Sequence, residues 1–176
     1  LGSGSIQDFW IDSSGVKMYI LSDTGHVYQY TMSTPFDITT TSYDSKTFDA
    51  SGNAPTAVAI FFSPDKSKMY VSDGITNQFI YQYTLGTPGD VSTASYDSKS
   101  YLTNNNIASI WFNNAGTKLI YTNYDTDTEY FTLSTPWDIS TVASVSTYNS
   151  DAQDTIPRDI NVTSDGSKIY IGGHQN

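Results

Sequence analysis

Carboxylates are the side chains in this sequence most able to do chemistry, because the alternatives are scarce. There is no cysteine, and the only histidines are His26 and His174. Neither histidine falls in a Gly-x-Ser-x-Gly or His-Glu-x-x-His arrangement, so nucleophilic or zinc-assisted hydrolysis has no motif to rest on. Asp125, Asp127 and Glu129 alternate along one stretch, and Ca2+ takes several hard oxygens delivered at such i, i+2 spacing. The run lacks the glycine and the terminal glutamate of an EF-hand loop and does not recur in the chain, so the ordinary reading is an acidic surface loop. Ca2+ is the one cofactor these residues raise, and no other is expected. Asp8 and Asp159 form a second set, in equivalent places of a repeat.

That repeat supplies the elements that must position them. A tight polar turn between two apolar runs occurs four times, and its lysines, Lys17, Lys68, Lys118 and Lys168, lie 51, 50 and 50 residues apart. A period that regular marks a structural unit. Gly15, Asp65, Gly116 and Gly166 belong to these turns, and Pro35, Pro88 and Pro136 mark a second turn where the third run of each unit ends. Proline removes a donor and fixes φ, so it belongs at a turn rather than in a ladder. Asp37, Asp90 and Asp138, two residues after each proline, are suited to accept local amides there. Short apolar or alternating runs between such turns predict four antiparallel strands per unit. The units are 6–55, 56–106, 107–156 and a partial fourth, 157–176, which makes about three and a half repeats of an all-β fold.

Aligning the units on their lysines exposes columns. Phe9, Ile60, Ile110 and Ile160 are always apolar, as are Ile11, Phe62, Phe112 and Val162 two residues on. Between them stand Trp10, Phe61, Trp111 and Asn161, so the first strand is apolar on both faces in three of four units. A strand with two dry faces must be sandwiched, as it is when each sheet stacks on the next. Tyr19, Tyr70 and Tyr170 share a column, Tyr28 shares one with Tyr81, and Tyr30 with Tyr83. Repeated aromatics of this kind point to packing between units. Tyr124 and Trp137 fall outside those columns and are the aromatic candidates for external contacts.

Charge narrows the partners. Eight basic against eighteen acidic residues leave a net charge of −10, which repels phosphate backbones and anionic membranes, so neither nucleic acid nor a membrane surface is expected. No apolar run approaches the roughly 20 residues that span a bilayer. Residues 1–5, rich in Gly and Ser, read as a flexible linker or scar, and a processed product or a piece of something larger is expected.

The run Ser-Thr-Pro-Trp-Asp-Ile-Ser-Thr at 134–141, followed by a strand, the Ser-Asp-Gly-Ser-Lys turn at 164–168 and an Ile-Tyr strand, resembles the repeats of β-propellers of the YVTN/NHL/WD40-like kind. Versions with this run resemble bacterial secreted and phage-associated structural proteins. The resemblance implies four-stranded blades and an extracellular or virion-surface setting. It also implies that the first strand of each blade lines a central channel, where Asp8 and Asp159 would be either solvated lining or a site for a cation or substrate. A buried carboxylate without a partner is costly, so water or Arg158 is expected near Asp159. Propellers close with about four to eight blades, so three and a half imply a partial ring completed or capped by other protein chains. The function implied is a structural and recognition module presenting loops for protein or surface binding. A lectin-like carbohydrate-binding propeller using Tyr124 or Trp137 is the alternative, and a metal-dependent propeller hydrolase is the enzyme reading.

Overall fold

Thr, Tyr, Val, Ile and Phe crowd the runs between turns, and these side chains fit a pleated surface better than a helix. The computed structural model describes residues 4–103, 105–124, 127–149, 156–163 and 165–174. The first sheet is β1 (Ile6–Ile11), β2 (Lys17–Ser22), β3 (His26–Met32) and β4 (Thr41–Asp49), antiparallel in that order. The second is β5 (Ala57–Phe62), β6 (Lys68–Asp73), β7 (Phe79–Leu85) and β8 (Ala94–Leu102). The third is β9 (Ile107–Phe112), β10 (Lys118–Asn123), β11 (Asp127–Leu133) and β12 (Val142–Asn149). A two-stranded sheet, β13 (Pro157–Val162) and β14 (Ile169–Gly173), follows. The first strands, β1, β5, β9 and β13, touch in succession, so the sheets stack face to face around them.

The β1–β2 turn and the proline turn lock together inside each sheet. Gly15, Lys66 and Gly116 hold one left-handed position, and Phe36, Gly89 and Trp137 hold the other. The carbonyls of Gly15, Lys66 and Gly116 accept the amides of Phe36, Gly89 and Trp137 at 2.9, 3.0 and 2.8 Å. A Cβ on Gly15 would lie 2.4 Å from the Phe36 ring, and one on Gly116 would lie 2.3 Å from the Trp137 ring. An aromatic ring on one turn therefore demands glycine on the other. The second sheet reverses the pair: Gly89 leaves room for the Lys66 stem, whose Nζ reaches Asp12 of the first sheet at 2.7 Å.

Asp37, Asp90 and Asp138 each cap a single 3-10 turn by accepting the amide two residues on, at 3.0 to 3.1 Å. A bulge in the fourth strand, with Ser45 and Ser98 left-handed, directs Asp44 and Asp97 inward. Asp44 accepts from Lys17 Nζ, Gln29 Nε2 and Thr31 Oγ1 at 2.8, 2.8 and 2.6 Å. Asp97 repeats the arrangement with Lys68, Gln82 and Thr84. Burial raises these two carboxyls, and the donors outweigh it, so both sit below the usual carboxylate range.

Sheets are then latched to one another by a row that crosses three strands. Tyr19, Gln29 and Lys46 are register neighbours in the first sheet, and Tyr70, Gln82 and Lys99 are in the second. Tyr19 Oη donates to the Gly89 carbonyl at 2.9 Å, and Tyr70 Oη to that of Trp137 at 2.8 Å. Gln29 Oε1 accepts the Val91 amide and Gln82 Oε1 the Ile139 amide, both at 3.1 Å. Lys46 pairs with Asp90, and Lys99 with Asp138. Each row thus grips the proline turn of the following sheet with a hydroxyl, a carboxamide and an ammonium. Both glutamines are buried and use both ends of the amide, which is the condition for a polar group to sit in such an interface at no net loss.

The third sheet carries a different row, Ile120, Tyr130 and Ser146. It faces the two-stranded sheet through an apolar cluster of Ile120, Ile160 and Val162, with Trp111 and Tyr130 against it. Lys118, without an aspartate like Asp44, lies 4.9 Å from the centre of the Tyr130 ring.

Candidate functional site

The inner strands enclose a recess, a cavity of about 380 Å³ whose polar lining is Gln7, Asp8, Ser109, Arg158 and Asp159. β1 contributes Asp8 and β13 contributes Asp159, so residues 151 positions apart in the chain meet because the intervening sheets turn around a common axis. Strand register explains their exposure to the recess. At Ile6–Asp8 and at Pro157–Asp159 the first strand slips against the second, and the irregularity turns the carboxylate off the ladder.

Each carboxylate also bridges sheets. Asp8 Oδ2 accepts the Ile60 amide of β5 at 2.9 Å, and its Oδ1 accepts the Phe9 amide at 2.8 Å. Asp159 Oδ1 accepts from Ser109 Oγ of β9 at 3.0 Å and from its own Ile160 amide at 2.8 Å. Burial pushes the Asp8 carboxyl up to about 6; the two amides pull it down, and the charge of Asp159 adds to the rise. Chemically the recess offers two carboxylates, a set suited to hold a cation or an ammonium group.

Asp8 gives a signed prediction. Its folded value lies above the unfolded 3.8, so its contribution is fully present below that value and is lost as pH rises through about 6. Discounted for partial exposure, the loss is about 2 kcal/mol between pH 4 and pH 7.5. Asp8→Asn keeps an acceptor for the Ile60 amide and cannot ionise. Denaturant unfolding at the two pH values should therefore show the variant gaining on the parent by that amount at the higher pH only.

The other candidate residues fall as follows. Arg158 lines the recess, but its guanidinium stacks 4.4 Å from the Tyr124 ring centre rather than pairing with Asp159. Tyr124 is half-buried, and its amide donates to the Asn106 carbonyl at 3.0 Å. Trp137 is half-buried and built into the junction of the second and third sheets, with Phe112 and Tyr70 at 5.7 and 6.4 Å between ring centres. Glu129 Oε1 accepts from Asn105 Nδ2 at 2.9 Å, and Asp127 Oδ1 from Asn149 Nδ2 at 3.3 Å. Asp125 lies outside the described residues. Among the described residues, no three His, Cys, Asp or Glu side chains gather as a metal site would require. Gly15, Gly116 and Gly166 hold the left-handed turn position, while Asp65 accepts from Ser63 Oγ and the Ser67 amide. Pro35, Pro88 and Pro136 sit in the turns between the third and fourth strands of their sheets.

The latch residues Gln29, Gln82, Lys46 and Lys99 escape a reading by motif. The available signal is that the glutamines and lysines recur as pairs in the first two units and vanish together from the third.

No helix among the described residues is long and apolar enough to cross a membrane. No protein-family model matches the chain, and no curated protein matches its sequence. Structural matches number 837 chains, so the shape is a common one and narrows the fold rather than the chemistry. One is a chain from the crystal structure of a mitotic checkpoint complex, superposing with a TM-score of 0.69 at 11% identity over 98% of this chain. The superposition covers 47% of that chain, so this chain spans about half its length. Three four-stranded antiparallel sheets and a two-stranded one are propeller-like blades, and together they match half of a WD40 propeller.

Proposed function

We propose that the chain is a protein-recognition module whose inner recess receives a basic side chain of its partner. WD40-like propellers generally serve as protein-binding scaffolds, which favours recognition over catalysis. The observation that carries the finer reading is the convergence of Asp8 and Asp159 on one cavity of about 380 Å³, large enough for a lysine or arginine head group. The net charge of −10 draws a basic partner toward that opening. Arg158 is turned onto Tyr124, which leaves the two carboxylates to face an incoming cation.

A Gly-Lys-Gly peptide titrated against the chain, followed by amide chemical shifts, tests the reading. Shifts at Asp8, Ser109 and Ile160 are expected at pH 7.5, weakened about tenfold by Asp8→Asn or Asp159→Asn, as the loss of one charge-assisted hydrogen bond implies. Shifts of equal affinity in parent and both variants would show that the recess is not where the cation goes.

A further inference from the structure

Among the described residues, the first sheet has one face that no other sheet covers, and the residues on it are those that the second and third sheets bury. Phe9 is 60% exposed, whereas Ile60 and Ile110 in the same place are 3% and 5%. Ile38 is 68% exposed, whereas Val91 and Ile139 are fully buried. The neighbouring row of Ile11, Met18 and Tyr30 lies on this same face, matching Phe62, Met69 and Tyr83 of the second sheet. Those three counterparts are at most 1% exposed.

Among the described residues, the polar groups of that face lack the partners their counterparts have, in the same pattern. The Phe36 carbonyl is the counterpart of the Gly89 and Trp137 carbonyls, each of which takes a tyrosine hydroxyl. The Ile38 amide is the counterpart of the Val91 and Ile139 amides, each of which is taken by a buried glutamine. The Asp37 carboxylate is the counterpart of Asp90 and Asp138, each of which takes a lysine. Asp37 itself is bonded through the amide and hydroxyl of Thr39 and belongs to no ion pair among the described residues.

We propose that this face is a docking surface for one further four-stranded sheet, carrying tyrosine, glutamine and lysine in a single cross-strand row. Charge and hydrogen bonding select that occupant. The carbonyl and amide, and a carboxylate that has Thr39 but no cation, call for a hydroxyl donor, a carboxamide acceptor and a cation, in the spacing that the first and second sheets already use twice. A second copy of this chain does not supply the set from an open face. Its two complete rows are occupied by the following sheets, and its third row is Ile120, Tyr130 and Ser146. Phe36, Asp37 and Ile38, which carry the polar part of this docking, do not line the recess, and Phe9 is shared between the face and the recess wall.

The test is the full chain with a second copy of residues 5–55 joined ahead of Ser5, which presents the Tyr19, Gln29 and Lys46 row to the open face. Amide hydrogen exchange at Ile38 of the original sheet is expected to slow at least a hundredfold relative to the unextended chain. Gln29→Leu in the added copy alone should return most of that protection while the remaining sheets keep their exchange rates. Equal Ile38 exchange in the extended and unextended chains would overturn the proposal. So would a stable dimer of the unextended chain that protects Ile38 by itself, since the occupant would then be a second copy.

Discussion

Phe112→Ala is expected to cost about 3 to 5 kcal/mol in denaturant unfolding, while Phe9→Ala costs within about 0.5 kcal/mol. Both residues are phenylalanines on the same face of the first strand of their sheets, and, among the described residues, only that of Phe112 has a preceding sheet against it. Phe112 is 1% exposed, with the rings of Tyr70, Phe61 and Trp137 at 4.3, 5.4 and 5.7 Å between centres. Truncation there removes aromatic contacts on several sides and leaves a cavity that turns fixed by hydrogen bonds cannot collapse to fill. Phe9 is 60% exposed, so its truncation removes little that is buried. Similar costs at the two sites would mean that stacking of sheets is not what stabilises the chain.

Gln82→Leu is expected to cost about 3 kcal/mol, close to what the same change at Gln29 costs. Leucine approximates the volume, so packing changes little. The loss is polar: the buried Ile139 amide forfeits its acceptor, and the Asp97 carboxylate forfeits a donor at 2.8 Å. Part of that cost comes from a buried amide with no partner, which is dearer than the hydrogen bond itself. Substituting Tyr130, which occupies the same register position in the third sheet, serves as the comparison, because it packs there against the apolar cluster of Ile120, Ile160 and Val162. Thermal or urea unfolding of the three variants reads the difference directly.

Much of the fold is legible in the residues themselves. The lysine period, the doubly apolar first strands and the proline turns imply four-stranded antiparallel sheets stacked face to face, and the three complete sheets have that form. The capping role of Asp37, Asp90 and Asp138 is equally local, since each accepts an amide two residues away. The same aspartates do something a local reading does not reach. Asp90 and Asp138 take lysines from the preceding sheet, across sequence separations of 44 and 39 residues. Trp137 shows the same limit in another way. Its column holds Phe36 and Gly89, which look unrelated until the partner column Gly15, Lys66 and Gly116 is set beside it and the steric exchange becomes visible. The recess depends on an even longer path, because Asp8 and Asp159 converge only after three sheets have turned around the axis. Periodicity reports which residues repeat; which of two equivalent residues has a neighbour depends on the stacking order.

The most direct measurement is amide hydrogen exchange at three equivalent positions of the chain as it stands: Ile38, Val91 and Ile139. Val91 and Ile139 are each held by a buried glutamine of the preceding sheet, so both should exchange only on opening of the stack. Ile38 should exchange orders of magnitude faster. Comparable rates at all three would contradict the latch between sheets.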